Sequence, residues 1–181
     1  MTMKNKIHIF GASGAGTTTI GRLACGILGY THFDTDDYFW MPTDEPFTLE
    51  RPENECLEAL DADLAAKESW ILSGSVMSWG NPLIPRFELA IFVSVPRETR
   101  IERLKKREVE RYGNRILPGG DRYEDSQWFI EWAASYDDGT REGRSLPKHE
   151  AWLERFNCPV LRITNLDLDE SVGRVVDAIR A

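Results

Sequence analysis

The stretch Ile7-His8-Ile9-Phe10-Gly11-Ala12-Ser13-Gly14-Ala15-Gly16-Thr17-Thr18-Thr19 decides the fold. Ile7 to Phe10 is a short β-rich run that stops at Gly11. From Thr17 to Leu28 the apolar residues Ile20, Leu23, Ala24, Ile27 and Leu28 recur at helical spacing and predict one buried face. The three glycines between them let the backbone turn tightly with its N–H groups converging. The positive end of the helix dipole adds to that field, so the turn can cradle an anion such as a polyphosphate. The bland alternative is a glycine-rich strand-to-helix turn with no ligand.

Outward from this turn the chain alternates between strands and helices. Tyr30 to Phe33 reads as a second strand and Trp70 to Leu72 as a third, stopped by Ser73-Gly74-Ser75. Leu89 to Val95 is an almost continuous apolar run closed by Pro96, as in a strand buried on both faces of a parallel sheet. Pro159 to Ile163 is the last strand. Helices are predicted over 53–67, 97–111 and 168–179. The region 112–156, rich in glycine and holding Trp128, Trp132 and Trp152, breaks this rhythm and reads as a helical and loop insertion, a lid. Strand–helix alternation with apolar strands predicts a doubly wound α/β sheet in a single domain over residues 1–181.

The bulk numbers narrow the class. With 22 basic against 30 acidic residues the net charge is −8, which argues against a general nucleic-acid binder but not against a local arginine cluster. Cys25, Cys56 and Cys158 are odd in number and form no CxxC pair, so they read as reduced, mostly buried thiols rather than zinc ligands or a disulfide framework. His8, His32 and His149 show no metal-ligand grouping. The N-terminal MTMKNKIHIFGASG lacks the apolar segment of a signal peptide, and no apolar run reaches the length of a membrane span, so the cytoplasm is the default.

The glycine turn matches the phosphate-loop (P-loop) pattern G-x-x-x-x-G-K-[ST] in its required strand–turn–helix context, with one departure: Thr17 stands where lysine belongs. Thr18 sits where the pattern wants a hydroxyl for Mg²⁺. Losing the lysine leaves the backbone cradle but removes a charge that helps stabilise phosphoryl transfer. The loop Gly11-Ala-Ser-Gly-Ala-Gly-Thr-Thr-Thr19 resembles that of the nucleoside and nucleotide kinases, in particular adenylate kinase and shikimate kinase, with its lysine replaced. The resemblance runs in element order from the loop through Ile179. It implies a P-loop α/β/α sandwich with a five-stranded parallel sheet and a helical lid over about 112–156, and it implies ATP and Mg²⁺ as nucleotide and metal.

His32-Phe33-Asp34-Thr35-Asp36-Asp37 lies at the carboxyl end of the second strand, the edge that faces the ligand crevice in such sheets. Asp34 and Asp36 are two residues apart and share a face if the strand continues. One carboxylate can help hold hydrated Mg²⁺, and the other can accept or position the proton of an attacking hydroxyl. The Asp34-Thr35-Asp36 spacing is similar to shikimate kinase, and the resemblance implies Asp34 near the metal and Asp36 on the acceptor hydroxyl. The competing reading is a solvated acidic turn capping the next helix, which suits Asp37 best. Tyr38, Phe39, Trp40 and Phe47 either wall a substrate pocket or pack a proline-rich loop onto the core. Arg51 and Arg86 are candidate anion contacts.

Arg100, Arg103, Arg107 and Arg111 follow three- and four-residue steps and share one helix face. A salt-bridged, solvated face accounts for most charges of this helix. The resemblance to adenylate kinase implies that Arg103 and Arg107, at the lid entry, clamp phosphates, with Arg115, Arg122, Arg141 and Arg144 extending the supply. Trp128, Phe129 and Trp132 are expected in the core of the insertion. The Thr164-Asn165-Leu166 loop is placed like the loop that packs on adenine in this family. No Walker B aspartate follows the third strand, which disfavours a motor ATPase. The expected partners are a nucleotide and a small-molecule acceptor, with neither nucleic acid nor membrane, in a monomer or weak homodimer. A regulatory nucleotide binder with little catalysis is the rival reading, motivated by Thr17. A simple nucleoside triphosphate hydrolase is a weaker third.

Overall fold

A computed structural model describes residues 3–181, so Met1 and Thr2 of the N-terminal stretch lie outside the described residues. Five strands, β1 (Lys6–Gly11), β2 (Thr31–Asp34), β3 (Trp70–Ser73), β4 (Leu89–Ser94) and β5 (Val160–Thr164), form one sheet in the order β2-β3-β1-β4-β5. Every neighbouring pair is parallel. Because the strands run the same way, their carboxyl ends meet on one edge, where Asp34 pairs with Ser73, Gly11 with Val93 and Ser94 with Thr164.

The period-two alternation of strand side chains builds a core on each face of the sheet. Ile7, Ile9, Ile71, Ile91 and Val93 pack with helices α1 (Thr17–Leu28) and α7 (Leu168–Arg180). Phe10, Trp70, Leu72, Ala90 and Phe92 pack on the other face with α3 (Glu53–Ala65). The short α2 (Asp36–Phe39) leaves the edge after β2, and α4 (Arg97–Tyr112) follows β4. Ile20 and Ala24 of α1 are buried as the spacing predicts. Leu23 and Ile27 are exposed instead, because the sheet-facing stripe runs through Gly21 and Cys25. At Gly21 a Cβ would collide with Ser73 Oγ, so this helix face lies hard against β3.

The region 112–156 holds a 3-10 turn at Gly113–Ile116 and helices α5 (Tyr123–Ala134) and α6 (Leu146–Leu153). The 3-10 turn and α5 pack against α4. Helix α6 is stapled into the core: Trp152 and Leu153 join the cluster of Phe10 and Phe92, and His149 is fully buried. Cys25 and Cys56 are buried free thiols and Cys158 is half-buried and free. Burial raises the Cys25 thiol to about 11. Among the described residues no helix is long and apolar enough to cross a membrane.

Candidate active site

The glycine turn joins β1 to α1 at the sheet edge, and its shape is fixed from behind. Gly16 caps α1 in the left-handed region with φ 88°, where a side chain is strained. A Cβ there would also lie 2.6 Å from Asn165 Nδ2. Asn165 is buried after β5. It donates from Nδ2 to the Ala15 carbonyl at 2.9 Å and accepts from Ser171 Oγ at 3.1 Å. Arg103 donates to the Asn165 carbonyl at 3.1 Å and to the Gly14 carbonyl at 3.5 Å. The carbonyls are thus tied back. Within the loop only the Ala15 N–H turns inward, to Ala12 O at 3.1 Å, while the amides of Gly14, Gly16, Thr17 and Thr18 have no acceptor among the described residues. Outward-facing amides at a helix N-terminus are the donor set a polyphosphate needs.

Beside this cradle, Thr18 Oγ1 donates to Asp34 Oδ2 at 2.7 Å. Asp34 is only 8% exposed, and its Oδ1 accepts the Asp36 backbone N–H at 3.0 Å. The strand ends at Asp34 and Asp36 begins α2, so the two do not share a strand face as expected. The Asp34 side chain forms an Asx-type turn that competes with further pairing and swings Asp36 into the cleft. This is not the solvated cap of the competing reading: Thr35 is the N-cap and makes no side-chain cap bond, while the buried Asp34 shapes the turn and also reaches Thr18. Asp36 meets solvent through the cleft yet is walled by protein. That enclosure, with Asp34 nearby, raises its carboxyl above the usual range, while Arg144 and Arg107 pull it down. Asp37 is exposed and does not line the cleft. Among the described residues no three His, Cys, Asp or Glu side chains group as metal ligands. The Thr18 hydroxyl and Asp34 carboxylate are hard oxygen donors, and they suit Mg²⁺, which keeps several waters and takes one or two protein oxygens.

The four arginines predicted to share one face of α4 part company. Arg100 is 1% exposed and is absorbed structurally, pairing with Asp137 and donating to the Val95 and Ala133 carbonyls. Arg103 and Arg107 line the cleft as expected, the first bracing the loop and the second lying over the Phe129 ring at 5.9 Å. Arg111 sits 4.3 Å from the Phe47 ring centre. Arg51 and Arg86 are not free anion contacts: Arg51 Nε donates to the Tyr38 carbonyl and Arg86 pairs with Asp61, both away from the cleft. Arg115 pairs with Glu45 and Asp121, Arg122 with Glu45 and Asp125, and Arg141 with Glu131. Arg144 reaches Ser13 of the loop at 3.3 Å.

The cleft between loop, α4 and α5 measures about 1500 Å³. Phe39, Trp40 and Phe47 line it as the pocket reading expects, whereas Tyr38 does not: it packs against the core and donates its hydroxyl to Asp63 at 2.7 Å. Among the described residues Phe47 and Ser78, both on this wall, are the non-glycine residues with positive φ (63° and 76°), and strain of that kind concentrates at ligand sites. Trp128 and Trp132 are not insertion core. They stack at 6.3 Å along the cleft mouth, with Trp128 60% exposed, because α5 turns its small residues Ser126 and Ala133 inward. Asn165 and Leu166 do not line the cleft, and Asn165 serves as the brace of the loop. A contact the spacing did not suggest is His149, which bonds Ser75 Oγ at 2.9 Å and Tyr136 OH at 2.7 Å, tying the insertion to the turn after β3.

The chain is 46% identical over 176 residues to the uncharacterized protein YqaC of Bacillus subtilis (strain 168), covering 97% of each chain. It is 32% identical over 68 residues to shikimate kinase 2 of Sodalis glossinidius (strain morsitans), a stretch spanning 38% of this chain and 31% of that one. In structure it is similar to a shikimate kinase from Bacteroides thetaiotaomicron, with a TM-score of 0.59 and 17% identity over 98% of this chain and 99% of that one. No protein-family model matches. Near full-length identity at this level, together with the strand order and the glycine turn, means that the chain belongs to the family of the uncharacterized protein YqaC and has the fold of a P-loop kinase.

Proposed function

We propose that the chain is an ATP-dependent phosphotransferase acting on a small hydroxyl-bearing or nucleotide acceptor. The observation that carries this reading is the run Thr18–Asp34–Asp36 in front of outward-facing loop amides. A shikimate kinase fold and the partial identity to a shikimate kinase support it.

In this reading the loop of Gly11, Ala12, Ser13, Gly14, Ala15, Gly16, Thr17, Thr18 and Thr19 holds the phosphates, through the amides of Gly14, Gly16, Thr17 and Thr18. Thr18 and Asp34 would hold Mg²⁺, which supplies positive charge beside the phosphate oxygens. The acceptor oxygen forms a bond to the terminal phosphorus, the bond from that phosphorus to the bridging oxygen breaks, and ADP leaves. Asp36 takes the hydroxyl proton, a task its raised pKa favours by strengthening the base. Arg103 and Arg107 offset the charge that spreads over the transferring group. Use of ATP in this way suits a cytoplasmic protein.

The test is ADP formation over a panel of hydroxyl acceptors, compared with Asp36→Asn. Acceptor-dependent ADP that the variant loses supports the reading; ADP formed equally without acceptor overturns it. Thr17 favours a second reading, a nucleotide-binding regulatory protein with little catalysis. Tight ATP binding with no transfer to any acceptor would establish that one instead.

A further inference from the structure

The loop lacks its lysine, and besides Arg103, which braces its carbonyls, a second cation reaches it from a distant part of the chain. The strap between α5 and α6 is pinned at several points. Trp132 Nε1 donates to the Glu142 carbonyl at 2.9 Å, Lys148 Nζ to the Gly143 carbonyl at 2.7 Å, and Leu146 N–H to the Tyr136 carbonyl at 2.7 Å. Gly143 takes φ 96°, and a Cβ there would sit 3.2 Å from Trp132 Nε1, so the strap lies flat on that ring. Ser145 then caps α6. This conformation delivers Arg144 into the cleft, half-buried, with its guanidinium 5.4 Å from the Trp132 ring centre.

We propose that Arg144 is the phosphate-facing cation of this site and stands in for the lysine missing at position 17, an inference that rests on the nucleotide-site reading above. Its one hydrogen bond is to Ser13 Oγ, in the loop itself, and no carboxylate lies within ion-pair distance among the described residues. Its charge is felt by Asp36 on the acceptor side. It thus touches the loop and lines the same cleft as Asp36. Among the other described cations, Arg100 is paired with Asp137, Arg103 with two carbonyls of the loop wall, and Arg115, Arg122 and Arg141 with carboxylates, while Arg111, Lys148 and Arg155 line the cleft without a hydrogen bond to the loop. Arg107 remains near Asp36 but touches no loop atom. A guanidinium resting on an indole is pre-oriented, and its planar fork suits phosphate oxygens.

The test is calorimetry with Mg²⁺ and either a non-hydrolysable ATP analogue or ADP. Arg144→Gln should lose about tenfold or more in affinity for the analogue, the effect of one charge-assisted hydrogen bond, and under about twofold for ADP. Arg144→Lys should keep most of the preference for the triphosphate. Adding Thr17→Lys to a folded Arg144→Gln protein should restore it. Equal losses for both nucleotides, no loss, no restoration by lysine, or a wild type that binds neither nucleotide would each overturn the proposal. Absence of transfer to any acceptor, with the triphosphate preference still dependent on Arg144, would sink the kinase reading alone.

Discussion

Thr18 donates its hydroxyl hydrogen to Asp34 across 2.7 Å, joining the first turn of α1 to the last residue of β2. The contact spans the gap left by β3, which lies between β1 and β2 in the sheet. It makes the hydroxyl and the buried carboxylate one polar unit. Thr18→Val and Asp34→Asn should therefore each abolish most of the Mg²⁺-dependent part of nucleotide affinity, by about tenfold or more. The double variant should be little worse than either single one, because residues in direct contact are not additive. Calorimetry with and without Mg²⁺ checks this; losses that simply add would mean the two side chains act separately.

Asp36 should govern the acid limb of the pH–rate profile. Enclosure, and next Asp34, raise its carboxyl, so ionised base is lost as pH falls through a value above the usual carboxylate range. Arg107 lowers that value, so Arg107→Ala should move the limb to higher pH. The same raised pKa means that ionised Asp36 costs stability. Asp36→Asn should melt no lower than wild type at neutral pH, and any gain should shrink as the pH falls and wild-type Asp36 protonates. A limb that stays in place in Arg107→Ala would remove Asp36 from the base role.

Arg103 and Arg107 should separate in kinetics although they lie one turn apart. Arg103 braces the Gly14 and Asn165 carbonyls, so Arg103→Ala should loosen the loop and raise KM for ATP. Arg107→Ala should cut kcat by about 10²-fold or more, the scale of a lost electrostatic stabiliser, with ground-state affinity falling much less. Identical splits for both variants would contradict this division.

His8 and His149 should make the fold acid-sensitive above the carboxylate range. Burial lowers each to about 3, from an ordinary value of 6.5. Their contribution is complete above the unfolded value and is lost as pH falls towards the folded one, at up to about 1.4 kcal/mol per pH unit for each histidine. His8 stacks on Phe10 and Phe87 and leaves Nε2 unpartnered. His8→Phe should flatten the fall in urea stability between about pH 6.5 and pH 5. An unchanged slope would place the acid sensitivity elsewhere.

Local pattern made much of the site legible. Gly11 to Thr19, Asp34 and Asp36 meet at the sheet edge because parallel strands must present their carboxyl ends together, and that follows once the alternation of elements is read. Periodicity was less informative for side chains whose fate depends on a neighbour. Arg100, Arg103 and Arg107 look alike on a helical wheel, yet one is sealed against Asp137, one braces the loop and one lies over Phe129. Arg51 and Arg86 read as anion contacts only because the Tyr38 carbonyl and Asp61 are invisible at their distance along the chain.

Sequence by itself determined the fold class and the glycine turn, since both arise from local rules: period-two and period-3.6 burial, and glycines at a strand-to-helix junction. It also exposed the anomaly at Thr17, because an absent lysine is a fact of composition. The tertiary structure alone decided what stands near that anomaly. Arg144 is 131 residues from Ser13, and only the closure of the strap on Trp132, with α6 anchored in the core through Trp152, brings it there. Long-range placement of a charge depends on packing between elements, and no spacing rule along the chain encodes it.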